Sequence, residues 1–242
     1  MPSVDVSGVA VGALDRAGWV DHLVQCVERG TPHHHVSLNA AKWVAMRHDP
    51  QLRAAVSRAT SVGADGIGIV LAARGVPERV AGADLAADLV AHAAVAGWRV
   101  ALLGARPAVL ATVADQLVDR GVHVVFATHG YHPHASAGAE RALAQRISEA
   151  RPHLLLVALG TPTAERFIDD HRDVLRVPLA VGVGGTFDVW AGVARRAPRV
   201  VQRVGLEWAW RLAGAPTARF DRAVLGSLRF VGAVARGQRV AP

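Results

Sequence analysis

The chain has 242 residues, 51% of them hydrophobic, enough for one large or two small domains with a sizeable core, and this composition excludes a disordered chain. Its single cysteine, Cys26, excludes an intramolecular disulfide framework and favours a reducing compartment. The sequence shows no signal-peptide pattern, and no apolar run approaches the ~20 residues needed to cross a bilayer. We therefore expect a soluble, cytoplasmic protein.

The formal charge of +7 is concentrated near the C-terminus. Residues 1–190 carry 17 basic and 18 acidic side chains, whereas residues 191–242 carry 10 basic and 2 acidic ones, and every basic residue there is arginine. Such asymmetry is typical of a protein with an anionic partner, whether lipid, nucleic acid or substrate phosphate. On charge alone, a solvated arginine-rich face is the simpler interpretation.

The first 96 residues predict an irregular succession of helices and strands. We expect a strand near 4–12, a helix from about Leu14 to Glu28, a strand over 33–39 leading into helices, a second strand in "ADGIGIVLA" (64–72) and a helix from Asp84 to Ala96. Asp65 is unexpected in an apolar strand, because burying an unpaired carboxylate is costly.

From Gly97 the pattern becomes regular. Buried strands are predicted at 98–104, 122–130, 153–160 and 178–185, separated by helices from Pro107 to about Arg120, over 138–150 and from near Pro162. Continuous apolar strands at this spacing indicate βαβ units and a parallel sheet covered on both faces. We therefore predict an α/β sandwich with a mostly parallel, Rossmann-like sheet flanked by helices. Ligands of such sheets bind at the carboxyl ends of the strands.

The C-terminal segment predicts an amphipathic helix from Phe220. Apolar residues occupy one side of its helical wheel and arginines another: Phe220, Val224, Leu228, Val231 and Ala235 on the first, and Arg219, Arg222, Arg229 and Arg236 on the second. A core-packing helix with a charged back and a membrane-surface helix both fit this pattern.

Three consecutive histidines, His33 to His35, resemble a metal site. In a strand His33 and His35 point one way and His34 the other, so the three cannot form one coordination shell without ligands from elsewhere. No HExxH or Cys/His spacing supports zinc, and we predict no metal ligand and no cofactor.

Three loops carry candidate binding residues. "GVGG" (182–185) after an apolar strand resembles a phosphate-binding loop, and Thr186, Phe187 and Asp188 beyond it are candidates to hold the sugar and base of a nucleoside. In "LGTPTAER" (159–166), Pro162 fits the first helical position, and Glu165 either compensates the helix dipole or reaches the same cleft. In "PERVAGADL" (77–85), Asp84 is a candidate helix cap and Arg79 a candidate diphosphate ligand.

Taken in order, these motifs resemble the WecG/TagA/CpsF glycosyltransferase family over about residues 35 to 230. The resemblance is carried by "SLN" (37–39), "ADGIGIVLAARG" (64–75), "ERVAGADL" (78–85), "LLG" (102–104), "HGY" (129–131), "VALGTPTAERFIDDH" (157–171), "VGVGGTFDVWAG" (181–192) and "RRAPRVVQRVGLEWAWRL" (195–212).

The resemblance implies a metal-independent, inverting transfer of a sugar, typically N-acetylmannosamine, from a UDP donor to a membrane-bound polyprenyl-diphosphate-linked sugar. It places the general base at Asp65, beside Gly66, which leaves room for a sugar. Ser37 and Asn39 would hold a sugar, and Arg79 and tail arginines, with Arg219 and Arg222 as candidates, would neutralise the diphosphate. The donor site would also include Asp84, Gly104, Gly130, Tyr131, Gly160, Glu165 and Gly184 to Asp188.

The change of pattern at Gly97 and the basic C-terminal segment divide the chain into three predicted parts: residues 1–96 with the catalytic loop, 97–198 for the donor nucleotide and 199–242 as a basic helical appendage. The appendage would hold the enzyme on the anionic inner face of the plasma membrane, as part of cell-surface polysaccharide or teichoic acid type synthesis. No nucleic-acid partner is expected, and a homo-oligomer remains open.

Two departures from the family pattern leave the donor sugar open. Thr163 and Ala164 stand where the family has a lysine and a glutamine, and Ala81 stands where it has a threonine. They also keep open an alternative function, a non-catalytic nucleotide-sugar-binding or scaffold protein on the same fold. An NAD-dependent oxidoreductase is not supported, because no GxGxxG with a following acidic residue is present.

Overall fold

A computed structural model describes residues 1–6, 8–130, 137–195 and 197–198. Its strands are β1 Ser3–Val6, β2 Val9–Gly12, β3 His34–Leu38, β4 Ser61–Ala64, β5 Arg99–Gly104, β6 His123–Thr128, β7 Leu154–Ala158 and β8 Leu179–Gly182. Its helices are α1 Arg16–Arg29, α2 Ala40–His48, α3 Pro50–Ser57, α4 Ile67–Ala72, α5 Gly82–Ala96, α6 Pro107–Asp119, α7 Ala137–Glu149, α8 Thr163–Asp170, α9 Arg172–Leu175 and α10 Thr186–Trp190.

Six of the strands form one sheet in the order β4-β3-β8-β7-β5-β6. Every neighbouring pair in this sheet is parallel. β3 from the first 96 residues lies directly beside β8, so the predicted parts 1–96 and 97–198 share a single sheet. The predicted α/β architecture with a Rossmann-like parallel sheet is confirmed.

Helices cover both faces of the sheet, which explains why its central strand β7 is apolar at every position. Leu154 and Leu156 of β7 belong to a core cluster with residues of α1, α5 and α6. Leu155 and Val157, the alternating neighbours, belong to a second cluster with residues of α7 and α8. Successive side chains of a strand point to opposite faces, so a strand buried on both sides needs no polar residue.

Two predictions for the N-terminal region are wrong. The strand expected near 4–12 is a hairpin, in which β1 and β2 pair antiparallel from Ser3 opposite Gly12 to Val6 opposite Val9. The strand expected over 64–72 ends at Ala64, and the following apolar residues form α4. A short apolar run cannot be assigned by periodicity alone, and here only Ile69 of α4 is buried.

The boundaries of two other helices differ from the sequence prediction in ways that affect the site. α5 begins at Gly82, so Asp84 lies within its first turn and is not the N-cap, which is Ala81. α8 begins at Thr163, so Pro162 is the N-cap and not the first helical residue.

None of the described helices is both long and apolar enough to cross a membrane. The amphipathic helix predicted from Phe220, and with it the appendage 199–242, lies outside the described residues.

Candidate functional site

A cleft of about 100 Å³ lies at the carboxyl edge of the parallel sheet. The segments that follow β3, β4, β7 and β8 form it together with the start of α5. Its lining comprises Ser37, Asn39, Lys42, Asp65, Ala81, Gly82, Ala83, Gly160, Thr161, Ala164, Glu165, Gly182, Val183, Gly184, Gly185 and Thr186. This is the edge at which open α/β sheets bind their ligands.

Asp65 reaches the cleft because β4 stops one residue before it. Its backbone N–H donates to the Leu38 carbonyl at 2.8 Å, which extends the β3–β4 pairing to the first residue after the strand. Asp65 is half-buried and not enclosed in the core. The cost of burying a carboxylate, which made this residue conspicuous in the sequence, is thereby reduced.

Ser37 and Asn39 enter the cleft from the end of β3. Ser37 is 5% exposed, and its Oγ has no hydrogen-bond partner among the described residues. Asn39 is the N-cap of α2, and its Oδ1 accepts from the Lys42 backbone N–H at 2.9 Å. Because the oxygen is used by the helix, Asn39 offers its amide N–H groups to a ligand.

Lys42, the only lysine of the chain, forms a buried ion pair below these residues. Its Nζ lies 2.7 Å from Glu165 Oε1 and donates to the Ser37 carbonyl at 2.9 Å. The Thr161 hydroxyl donates to the same Glu165 oxygen at 3.3 Å. Glu165 Oε2 is buried with no hydrogen-bond partner in the described part of the chain.

Lys42 was missed from the sequence, although one signal was available. The chain has 27 basic residues, and position 42 differs from the other 26 in being a lysine and not an arginine. Of the two roles considered for Glu165, the structure supports a position in the cleft, since this side chain lines it and is 2% exposed.

The first turn of α5 closes another side of the cleft. Its N-cap, Ala81, makes no side-chain hydrogen bond to the helix, and Ala81, Gly82 and Ala83 all line the cleft. A side-chain carbon at Gly82 would lie 2.7 Å from Ser37 Oγ and 3.7 Å from Asp65 Oδ2. Gly82 therefore lets the helix N-terminus approach both residues closely.

The structure brings eight of the predicted site residues together at this cleft and leaves seven elsewhere. Those that line it are Ser37, Asn39, Asp65, Gly160, Glu165, Gly184, Gly185 and Thr186. Those that do not are Gly66, Arg79, Asp84, Gly104, Gly130, Phe187 and Asp188. Tyr131, Arg219 and Arg222 lie outside the described residues.

Three of the seven have structural roles that explain their sequence signal. Phe187 is fully buried in the core and stacks near Trp190 with ring centroids 5.9 Å apart, so its ring does not reach a ligand in the cleft. A side-chain carbon at Gly104, where φ is +115°, would lie 2.5 Å from the Ala158 backbone. One at Gly130 would overlap the Leu159 side chain.

The triple histidine lies on β3 and the residue before it, with the alternation predicted. His33 Nε2 and His35 Nδ1 both contact Ser61 Oγ, at 2.8 and 2.9 Å. His34 is buried, and its Nε2 has no partner within the described ranges. Burial lowers the pKa of His34 to about 4, so this imidazole is neutral at pH 7.

The fold and the cleft define an α/β protein of the Rossmann-like type with a polar ligand site at the carboxyl edge of its sheet. A family model described as glycosyl transferase WecG/TagA/CpsF family matches residues 4–241. The chain therefore belongs to the WecG/TagA/CpsF family of glycosyltransferases.

Proposed function

We propose that this glycosyltransferase moves a hexose, N-acetylmannosamine or a similar sugar, from a UDP donor to a polyprenyl-diphosphate-linked sugar, with inversion and without a metal ion in the reaction. The observation that carries the proposal is the pair of buried, unpartnered oxygen atoms in one cleft with Asp65. Ser37 Oγ and Glu165 Oε2 each lack a hydrogen-bond partner among the described residues. Buried polar atoms are rarely left unpaired, and sugar hydroxyls both donate and accept.

Asp65 is the group best placed to act as the general base. Inverting transfer needs a carboxylate that takes the proton of the acceptor hydroxyl as its oxygen attacks the anomeric carbon. The bond from the anomeric carbon to the diphosphate oxygen breaks as the new glycosidic bond forms. UDP leaves as an anion and Asp65 holds the proton.

The departing diphosphate needs positive charge or N–H donors. The N-terminus of α5 borders the cleft, its N-cap Ala81 makes no side-chain hydrogen bond to the helix, and helix N-termini bind phosphate through their backbone N–H groups. Lys42 does not contribute free charge, because Glu165 neutralises it. We propose that Gly160 and Gly184 to Thr186 hold the nucleotide on the other side of the cleft and that arginines of the tail complete the site.

The second candidate function is a nucleotide-sugar-binding protein without transferase activity. Ala164 favours it, since this residue lines the cleft where the family has a glutamine and is itself 2% exposed, with no polar atom to offer a sugar. Such a protein would bind UDP-sugars and release no UDP.

One assay separates the two functions. The full chain is incubated with a panel of UDP-sugars and a short polyprenyl-diphosphate-linked sugar in detergent, and UDP release is followed with and without acceptor. Acceptor-dependent release identifies the donor and supports transfer, whereas binding without release supports the second function. EDTA in the same assay should leave the initial rate unchanged, and restoration of a lost rate by Mg²⁺ or Mn²⁺ would contradict metal independence.

The role of Asp65 is tested in that assay by Asp65→Asn. We expect the transfer rate to fall by at least ~10²-fold, the lower range for loss of a general base. UDP binding should remain. Asp115→Asn, an exposed change on α6, is the matched control and should keep full activity. Near-normal turnover of Asp65→Asn would remove Asp65 from the mechanism.

The acceptor lipid requires contact with a membrane. Extracting a polyprenyl chain would expose ~0.8 kcal/mol of apolar surface per CH₂, so the enzyme must go to the bilayer. We propose that the basic segment 199–242 attaches it to the anionic inner face of the plasma membrane, each arginine near the surface contributing about 1 kcal/mol.

A further inference from the structure

A second group of ligating side chains lies away from the cleft. His22, Cys26 and His33 each offer one ligand atom, and these atoms all lie within 4.8 Å of one another. His22 and Cys26 stand four residues apart on α1, hence on one face of that helix, and His33 immediately precedes β3. Three histidines in a strand cannot share an ion, but α1 supplies His33 with two further ligands.

The spacing is close to that of a tetrahedral zinc shell. Bond lengths of about 2.3 Å for sulfur and about 2.05 Å for nitrogen place a sulfur and a nitrogen ligand ~3.6 Å apart. His22 Nε2 and Cys26 Sγ are 3.8 Å apart. In the same shell two nitrogens lie ~3.35 Å apart, so the remaining pairs of ligand atoms, at most 4.8 Å apart, have to close by about 1.5 Å at most, which side-chain rotations can supply.

The surroundings of His33 resemble those of a metal ligand. Its Nε2 contacts Ser61 Oγ at 2.8 Å, which leaves Nδ1 as the second ring nitrogen. A ligating histidine usually holds its other nitrogen on a hydrogen-bond partner, which fixes the ring. Ser61 is 3% exposed and also contacts His35 Nδ1 at 2.9 Å, so this partner is itself held in place.

Burial favours the ligating form of both histidines. It lowers the pKa of His22 and lowers that of His33 to about 4, so both rings are neutral at pH 7 with a lone pair free to bind. Burial raises the pKa of the Cys26 thiol, so a cation would have to displace the thiol proton into solvent.

We propose that His22, Cys26 and His33 form a binding site for a zinc-like divalent cation, with three protein ligands and one open position. The ligand set is one thiolate and two imidazoles, which suits Zn²⁺ and Co²⁺ and disfavours Mg²⁺ and Ca²⁺.

The site is separate from the reaction. His33 is at the amino end of β3 and Ser37 near its carboxyl end, about 13 Å apart at ~3.3 Å per residue. The cation ties α1 to the start of β3 and takes no part in sugar transfer, so the proposal stands or fails independently of the glycosyltransferase mechanism.

Cobalt tests the site directly, because Cys26 is the only cysteine and any thiolate-to-metal absorption must come from it. The full chain, stripped with a chelator, is titrated with Co²⁺ while the near-ultraviolet charge-transfer band is recorded. We expect one equivalent per chain to produce the band. Cys26→Ser should abolish it, and His22→Ala and His33→Ala should each weaken Co²⁺ binding at least ~10-fold. His48→Ala, at the exposed end of α2, should leave it unchanged.

Thiol protection in the unmodified chain provides the measurement that no folding defect can distort. One equivalent of Zn²⁺ should slow alkylation of Cys26 by at least ~10-fold, and excess Mg²⁺ should not. The proposal is overturned if Co²⁺ gives no band and Zn²⁺ gives no protection, in which case Cys26 and His22 form only a thiol–imidazole hydrogen bond. It is equally overturned if His22→Ala and His33→Ala bind Co²⁺ as the unmodified chain does.

Discussion

Replacement of the only lysine should destabilise the protein more than any loss of a surface charge. In Lys42→Met the side chain keeps its approximate length and apolar stem but loses the ammonium group. Glu165, 3% exposed in its side chain, then retains only the Thr161 hydroxyl at 3.3 Å as a partner among the described residues. The Ser37 carbonyl also loses its donor from Nζ.

The size of the effect follows from burial. The two side chains are 7% and 3% exposed, so the carboxylate left behind cannot be hydrated well. Breaking a buried pair by removing one partner costs about 3–5 kcal/mol. We take the lower end, ~3 kcal/mol, because Thr161 remains, and this corresponds to a fall of ~6–12 °C in Tm for a chain of this size.

Urea denaturation at pH 7 measures the change, with two further variants. Lys42→Met with Glu165→Leu should recover most of the loss, since an apolar pair replaces the ions. Arg141→Met is the matched control: its ion pair with Asp173 has side chains 54% and 60% exposed and should contribute less than ~1 kcal/mol. If Lys42→Met costs no more than this control, the pair does not stabilise the cleft as reasoned.

Three further outcomes are expected. Gly82→Ala should lower the free energy of unfolding by about 1–3 kcal/mol, because its Cβ would lie 2.7 Å from Ser37 Oγ. Gly66→Ala is the control: the nearest atom to its Cβ would be 3.6 Å away, so the same urea denaturation should show almost no change. Burial raises the pKa of Asp169, but two arginines outweigh it and leave this pKa below 3.8. Asp169→Asn should therefore lower the free energy of unfolding by about 1–3 kcal/mol at pH 7. The difference from the unmodified chain should shrink as pH falls through the folded-state pKa of Asp169. An equal difference at pH 7 and pH 2.5 would contradict the pairing of the Asp169 carboxylate with the two arginines. Truncation after Leu212 should leave a folded core that loses vesicle co-sedimentation at low salt and sugar transfer, and unchanged vesicle binding would exclude the tail as the membrane contact.

The architecture could be predicted from the sequence because each strand of a parallel sheet covered on both faces has a recognisable local pattern. Leu154 to Val157 are apolar at successive positions since both faces are buried, and no tertiary information is needed to recognise that pattern. The order of strands in the sheet was not available locally. β3 pairs with β8 across more than 140 residues, a contact that no sequence window contains.

The candidate site was likewise predicted in part from the sequence and decided in part by the tertiary structure. Asp65 stood out in the sequence as a carboxylate in an apolar run, the family resemblance named Asp65 and Ser37 as site residues, and the motif of Glu165 left two roles open. Only the tertiary structure decided that Asp65 follows a strand and does not lie within it. An apolar run of six residues is compatible with strand or helix, and in the structure it forms helix α4 with Ile69 buried.

Residues whose role depends on a partner distant in sequence could not be assigned from the chain alone. Lys42 meets Glu165 across the end of the sheet, and His33 meets Cys26 of α1, in both cases because the fold brings separate elements to one point. Phe187 shows the converse: beside a glycine loop it resembles a base-stacking residue, yet the same loop turns its ring into the core. Local sequence motifs identify candidate side chains, whereas three-dimensional packing determines which of them line the same site.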